Sequence, residues 1–251
     1  MIKVFFRKLF FITLLCCTCH LTQAQRNVTT VGLQVKPIFP VNFIGTGETL
    51  NSDLDVDFTL GLKSGYSFGM VVRRGFSDLI SLESGINYVK RKYNLKIQDQ
   101  DYSREANFRI IGYEIPVSML VYIQLSEKLY MNVSMGSSLD MFASAVQTFD
   151  TNFNQVSFRN HVAQGAVIAN IGWEWRTEKS GYIYIGASYH RPFNYIYLSR
   201  TEYVKPNKLP TDPNAFSEVE LLGNYLTIDF RYFFHEDPET RNQRRAKRKQ
   251  N

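Results

Sequence analysis

Cysteine is missing from almost the whole chain. Of 251 residues only Cys16, Cys17 and Cys19 are cysteines, and all lie near the N-terminus. If that leading segment is removed, no disulfide, thiolate nucleophile or cysteine-ligated metal remains. Long apolar runs are also lacking. Beyond the leader none approaches the roughly eighteen residues that a membrane helix needs. Histidine is scarce, and His20, His161, His190 and His235 show no metal-ligand spacing. No glycine-rich phosphate loop is present, because the glycines recur with a strand-like period instead. The formal net charge of +6 is not the mark of a nucleic-acid-binding surface. Lys3, Arg7 and Lys8 belong to the leader, while Arg241, Arg244, Arg245, Lys247, Arg248 and Lys249 crowd the C-terminus against Glu236, Asp237 and Glu239. The body between them is about neutral.

What is present begins with an export signal. Basic residues at Met1–Lys8, an apolar run at Leu9–Cys19 and small residues at Thr22-Gln23-Ala24 read as a secretory signal peptide over 1–24, cut after Ala24. Lipidation is disfavoured, since no cysteine follows Gly, Ala or Ser. The body, 25–235, suits one β domain. The tail, 236–251, has no apolar period and a composition that favours disorder.

Alternating residues predict eight strands: Val28–Phe39, Phe58–Arg74, Leu79–Lys92, Arg109–Leu125, Leu129–Ala145, Val162–Arg176, Tyr182–Leu198 and Glu220–Phe234. Alternate side chains point to opposite faces. Thus Tyr113, Ile115, Val117, Met119, Val121 and Ile123 share one face, against Glu114, Ser118, Tyr122 and Gln124. Tight turns at Gly75–Asp78, Ser126–Lys128 and Thr177–Gly181 alternate with longer polar segments at Pro40–Asp57, Tyr93–Phe108, Val146–His161 and Ser199–Val219. In a meander every second connection falls on the same side. Short turns at one end and long loops at the other characterise outer-membrane barrels. Phe76, Tyr122, Tyr130, Trp173, Trp175, Tyr182 and Phe234 crowd the turn-side ends, as an interfacial aromatic girdle does. The expectation is an all-β, eight-stranded antiparallel up-and-down transmembrane β-barrel. A soluble β-sandwich or lipocalin-like barrel is the weaker alternative.

The polar face predicts the interior. Glycines at 61, 65, 69, 85, 112, 136, 172, 186 and 223 alternate there with Lys63, Arg73, Glu83, Glu114, Asp140, Glu174, Asp229 and Arg231. Buried charges must be paired, so these eight residues are expected to form a salt-bridged lumen network. A narrow water-filled path is the alternative. Ser188 and His190 share a face at i, i+2 and are the nearest approach to a hydrolase pair, but as lumen residues they point away from lipid. Asp53, Asp55 and Asp57 lack the turn glycine and distal glutamate of a calcium loop and read as a solvated acidic loop.

The residues also carry a family resemblance. The signal ending at Ala24-Gln25, the opening strand Gly32-Leu33-Gln34-Val35-Lys36, the segment Gly85-Ile86-Asn87-Tyr88, the run Tyr113-Glu114-Ile115-Pro116 with Val117–Tyr122, and the closing strand Tyr225–Phe234 resemble the PorT-like outer-membrane β-barrel family of Gram-negative bacteria. The resemblance covers Val31–Phe234. It implies the fold, outer-membrane lipid as surroundings and, as in some relatives, a part in protein secretion; it implies no catalytic set and no cofactor. The basic tail after Phe234 departs from the usual ending. Its six cations predict an anionic partner, either periplasmic proteins or peptidoglycan. The expected function is a small outer-membrane β-barrel with a structural or interaction role, such as an accessory of secretion or envelope organisation. A lipid-modifying barrel enzyme and a narrow channel are the alternatives.

Overall fold

The computed structural model describes residues 28–40, 47–77, 79–100, 102–177, 180–206, 209 and 212–234. The expected signal peptide over 1–24 and the basic tail, with Arg241, Arg244, Arg245, Lys247, Arg248 and Lys249, lie outside the described residues.

The described residues form thirteen strands and no helix: β1 (Thr29–Phe39), β2 (Thr49–Asp53), β3 (Val56–Gly75), β4 (Ile80–Gln98), β5 (Ser103–Gln124), β6 (Leu129–Phe142), β7 (Val146–Phe149), β8 (Phe153–Arg159), β9 (Ala163–Arg176), β10 (Tyr182–Pro192), β11 (Tyr197–Tyr203), β12 (Ala215–Leu221) and β13 (Tyr225–Phe233). Eight of them close a ring in the order β1, β3, β4, β5, β6, β9, β10, β13, and β1 pairs with both β3 and β13. All these pairings are antiparallel. The expected count of eight strands therefore covers only the ring. Two expected strands are also shorter than anticipated. The one beginning at Tyr182 stops at Pro192, which has no N–H for the ladder. The last begins at Tyr225, after Gly223 turns the chain at φ 74°.

The ring is inverted relative to a soluble core. Its outer face exposes Leu33, Val35, Phe68, Met70, Met119, Met135, Trp175 and Phe230, with Met135 68% and Trp175 60% exposed. Its inner face buries Arg91, Glu174 and Asp229 completely. Small residues make room inside. Gly172 and Gly186 are cross-strand partners, and a Cβ on either would run into the Tyr184 hydroxyl.

Among the described residues the long polar segments are largely strand, which corrects the sequence reading. β3, β4 and β5 run on past the ring, and β4 and β5 stay paired up to Gln98↔Ser103. Val146–His161 folds as the β7–β8 hairpin, and Ser199–Val219 contributes most of β11 and β12. These four strands make a second sheet in the order β12-β11-β8-β7. It packs on the extended strands through Val56, Phe58, Leu60, Leu95, Ile97, Phe108, Phe153, Tyr197, Tyr203 and Leu221. Tyr102 meets Tyr203 with ring centroids 5.2 Å apart, and Phe142 meets Tyr197 edge-on at 5.6 Å. Burial pushes the Tyr203 phenol up to about 12. Short hydroxyls also face inward, and Gln155 donates to Ser157 Oγ (2.6 Å) and Ser199 Oγ (2.9 Å). Such residues made the segments look like solvated loops.

The acidic stretch is likewise structured. Leu54 and Asp55 have φ of 49° and 62° and form a two-residue hairpin turn between Asp53 and Val56. Asp53 Oδ2 accepts from Phe216 N–H at 2.8 Å, which ties β2 to β12, and Asp57 accepts from Ser52 at 2.5 Å.

The upper core makes a direct prediction. Truncating a buried Phe to Ala costs about 3–5 kcal/mol. Phe58→Ala should make β8, β11 and β12 protease-sensitive. The ring should meanwhile keep its heat-dependent gel shift in detergent, because Phe58 lies above it.

Candidate functional site

The inner face of the ring concentrates most of the chemistry. Near the turn end, Arg73 (β3) donates through Nε and Nη2 to Glu83 Oε2 on β4, at 3.1 and 2.9 Å, and through Nη1 to Glu174 on β9. Arg176 Nε donates to the other Glu174 oxygen at 2.7 Å. Arg231 (β13) donates to Glu83 Oε1 and to Asp229 Oδ2, the latter at 2.7 Å. Asp229 also accepts from Ser188 Oγ (2.6 Å), Asn170 Nδ2 (3.1 Å) and Thr227 Oγ1 (2.5 Å), with Lys36 Nζ 3.5 Å away. Aromatic faces cover the guanidinium planes: Phe233 lies 4.0 Å from Arg73, and Tyr130 lies 3.9 Å from Arg176.

A second cluster lies nearer the upper core. Glu114 Oε1 (β5) accepts from Arg91 Nη2 (β4) at 3.1 Å and from the Tyr225 hydroxyl (β13) at 2.5 Å. His190 Nε2 (β10) approaches Asp140 Oδ2 (β6) at 3.0 Å, and its ring stacks on Tyr225 at 4.6 Å. The charges balance across both clusters: Lys36, Arg73, Arg91, Arg176 and Arg231 face Glu83, Glu114, Asp140, Glu174 and Asp229.

Of the expected lumen residues, the structure brings Arg73, Glu83, Glu114, Asp140, Glu174, Asp229 and Arg231 to the inner face. Lys63 is a correction. It is exposed on the outside, because the register shifts between Leu62 and Ser64 and changes which residues face inward. Lys36, Arg91, Arg176 and His190 were not expected in the network. Arg91 shares parity with Glu83, and Arg176 shares parity with Glu174, so strand alternation carried the signal. Three expected girdle aromatics also turn inward. Tyr122, Tyr130 and Tyr182 are buried around Arg176, whereas Phe76, Trp173, Trp175 and Phe234 are exposed.

The Ser188–His190 pair does not form, since Ser188 is engaged by Asp229 and Asn170. Ser138 Oγ instead lies 3.2 Å from His190 Nε2, and it donates to Asp140 Oδ1 at 2.7 Å. Hydroxyl and carboxylate thus meet the same imidazole nitrogen. A catalytic triad places them on opposite nitrogens, and here Nδ1 has no partner among the described residues. Glu114, Asp140 and His190 bring one ligand atom each within 4.8 Å of one another. Histidine spacing in the sequence gave no sign of this trio, because its members come from three strands. Arg91 and Tyr225 already donate to Glu114, so a cation there would compete with a guanidinium. Between the two clusters lies a cavity of about 40 Å³, bordered by Asn87, Glu114, Ser134, Asn170 and His190. That is room for water rather than for a solute.

No protein-family model matches the chain, and no curated protein does. Among solved structures it is similar to the outer membrane protein OprG from Pseudomonas aeruginosa, at 10% identity and a TM-score of 0.49, over 85% of this chain and 99% of that one. It is also similar to the outer membrane protease OmpT from Escherichia coli, at 8% identity and a TM-score of 0.35, over 86% of this chain and 97% of that one.

Removing one member of a buried pair strands its partner and costs about 3–5 kcal/mol. Glu114→Leu should lower stability by that order in a denaturant titration of the detergent-folded protein. Val117→Leu, on the outer face of the same strand, should change little.

Proposed function

We propose that the protein is a small outer-membrane β-barrel with a structural or interaction role, as an accessory of outer-membrane protein secretion or of envelope organisation. The inversion of the ring carries this reading. On β5, Ile111, Tyr113, Ile115, Val117, Met119, Val121 and Ile123 form an unbroken apolar outer row. At about 3.3 Å per residue and a tilt near 45°, that row spans roughly 28 Å of membrane normal, close to the apolar band of about 25 Å on such barrels. Above it the polarity reverses: Arg109, Asn107 and Glu105 face outward while Phe108 and Ile110 are buried. Apolar-out below and polar-out above is the pattern of strands that leave lipid and enter water.

In this reading the turn end and both termini face the periplasm, and the two-sheet upper part stands outside the cell. The lumen is filled rather than conducting, since ion pairs occupy it and an apolar core closes its upper end. The Ser138–His190–Asp140 arrangement lacks catalytic order, which weighs against a lipid-modifying enzyme. An interaction role falls to the outer module, whose β12 and β7 are the ends of its sheet. The resemblance of Val31–Phe234 to PorT-like proteins directs that role toward secretion. The basic tail adds a periplasmic contact with proteins or peptidoglycan.

Mature protein refolded in detergent should give a β circular-dichroism spectrum and migrate differently when boiled. Tags at Gln100 and Asn152 should label on intact cells, whereas a tag after Asn251 should not. Bilayers containing the folded protein should show no stable conductance steps. A folded monomer soluble without detergent would overturn the reading.

A further inference from the structure

One cluster of charge lies on the outside of the ring and takes no part in the lumen network. Lys63 on β3, Lys90 and Lys92 on β4 and Arg109 on β5 share the outer face just above the apolar band. The register sets Lys92 directly opposite Arg109, and sets Lys90 opposite Tyr66 on one side and Ile111 on the other. Like charges directly opposite across a sheet are destabilising. Among the described residues none of the four has a carboxylate partner, although other cations on the upper half are paired: Arg104 with Asp150, Lys205 with Asp99 and Arg200 with Glu218. The four line a groove of about 700 Å³, with Gln147 and Thr148 of β7 on its far wall.

Directly below, the surface changes from charged to aromatic. Tyr66, Phe68, Tyr88 and Tyr113 form a contiguous group, with centroids 5.1 Å apart for Phe68–Tyr88 and 5.9 Å apart for Tyr88–Tyr113. Lys90 Nζ lies 5.6 Å from the Tyr66 ring centre. Beneath these rings the band continues with exposed Met70, Ile86 and Val117.

We propose that this surface binds a multiply phosphorylated lipid of the outer leaflet, with its phosphates on Lys63, Lys90, Lys92 and Arg109 and its acyl chains along Phe68, Met70 and Val117. This rests on the membrane orientation argued above. Charge complementarity selects the headgroup. A phosphate monoester carries about −1.5 to −2 at neutral pH, so two of them neutralise the four cations. The lumen charges are already balanced and offer no internal counter-ion. Continuity with the apolar band selects a lipid over free phosphate, because only a lipid satisfies both halves of the surface at once. Aromatic rings at that level suit the boundary between headgroup and chains.

The test uses the full mature chain folded into phosphatidylcholine nanodiscs, with its heat-dependent gel shift checked first. A bis-phosphorylated acyl-disaccharide lipid is titrated in, and its retention is read by native mass spectrometry. Phosphatidylglycerol and millimolar inorganic phosphate serve as competitors. Wild-type protein should retain the bis-phosphorylated lipid in preference to phosphatidylglycerol, and free phosphate should not displace it. The triple variant Lys90→Ala, Lys92→Ala, Arg109→Ala should bind about a hundredfold more weakly. Arg74→Ala, which removes an exposed cation at the opposite end of β3, should bind like wild type. Equal retention by wild type and the triple variant overturns the site while leaving the barrel reading intact. Displacement by inorganic phosphate alone overturns the lipid assignment. Absence of the gel shift in wild-type protein overturns the barrel reading and the lipid site with it.

Discussion

Charge pairing inside the ring is the constraint on which the other features rest. Lys36, Arg73, Arg91, Arg176 and Arg231 are held in a space with little room for water, so each needs a carboxylate at its own height. Glu83 lies between Arg73 and Arg231, and Glu174 between Arg73 and Arg176. These contacts link strands far apart in sequence and therefore fix the register of β3, β4, β9 and β13 together. A slip of one residue would send every inner side chain to the outer face. It would place guanidinium groups where Leu33, Met70 and Phe230 now stand. The network is thus better understood as a device for uniqueness than as a source of net stability, since a buried ion pair often only breaks even against apolar packing.

The same strands serve two environments, and the change occurs within a few residues. On β4 the inner face runs Glu83, Asn87, Val89, Arg91 and then Tyr93, Leu95, Ile97. On β5 it runs from Ser118 and Glu114 to Ile110 and Phe108. Below the change the interior is ionic; above it the interior is an ordinary apolar core, completed by β8, β11 and β12. The two halves support each other. The core closes the upper end over Arg91 and Tyr225, and the paired ring holds β3, β4 and β5 at the spacing that the second sheet covers.

This reversal also explains what could be read from sequence. All eight ring strands were legible, because alternation such as Tyr113 to Ile123 against Glu114 and Ser118 persists for many residues. The extensions were not. Lys92, Asn94, Lys96 and Gln98 form the outer row of β4, and next to a strand whose outer row had been apolar they resemble the start of a loop. β11 and β12 were hidden differently, since their buried inner positions hold Ser199, Thr201 and Ser217, short polar side chains with the composition of a loop. In the candidate site, residues on unbroken alternation were placed correctly from parity alone. Lys63 was misplaced because one extra residue beside Leu62 shifts the parity, and nothing local in the sequence announces it. The meeting of His190, Asp140 and Glu114 depended on the relative heights of three strands, which parity does not supply.

A filled and electrically balanced interior has a consequence for where function resides. Moving a solute through the ring would require separating Arg73 from Glu83 and Glu174, and Arg91 from Glu114, in a medium where each stranded charge is costly. It would also require opening the apolar core above them. Both barriers lie on the same axis, which supports a structural role for the inside. On the proposed reading, contact with other molecules falls to what the shape presents: the outer module with its sheet ends, and the belt of the ring, where four cations with no carboxylate partner among the described residues stand over an aromatic cluster. Exposed like charges on adjacent strands lower stability unless something outside the chain meets them. On the proposed reading, a phosphorylated lipid supplies on the outer wall the counter-charge that the paired interior does not offer.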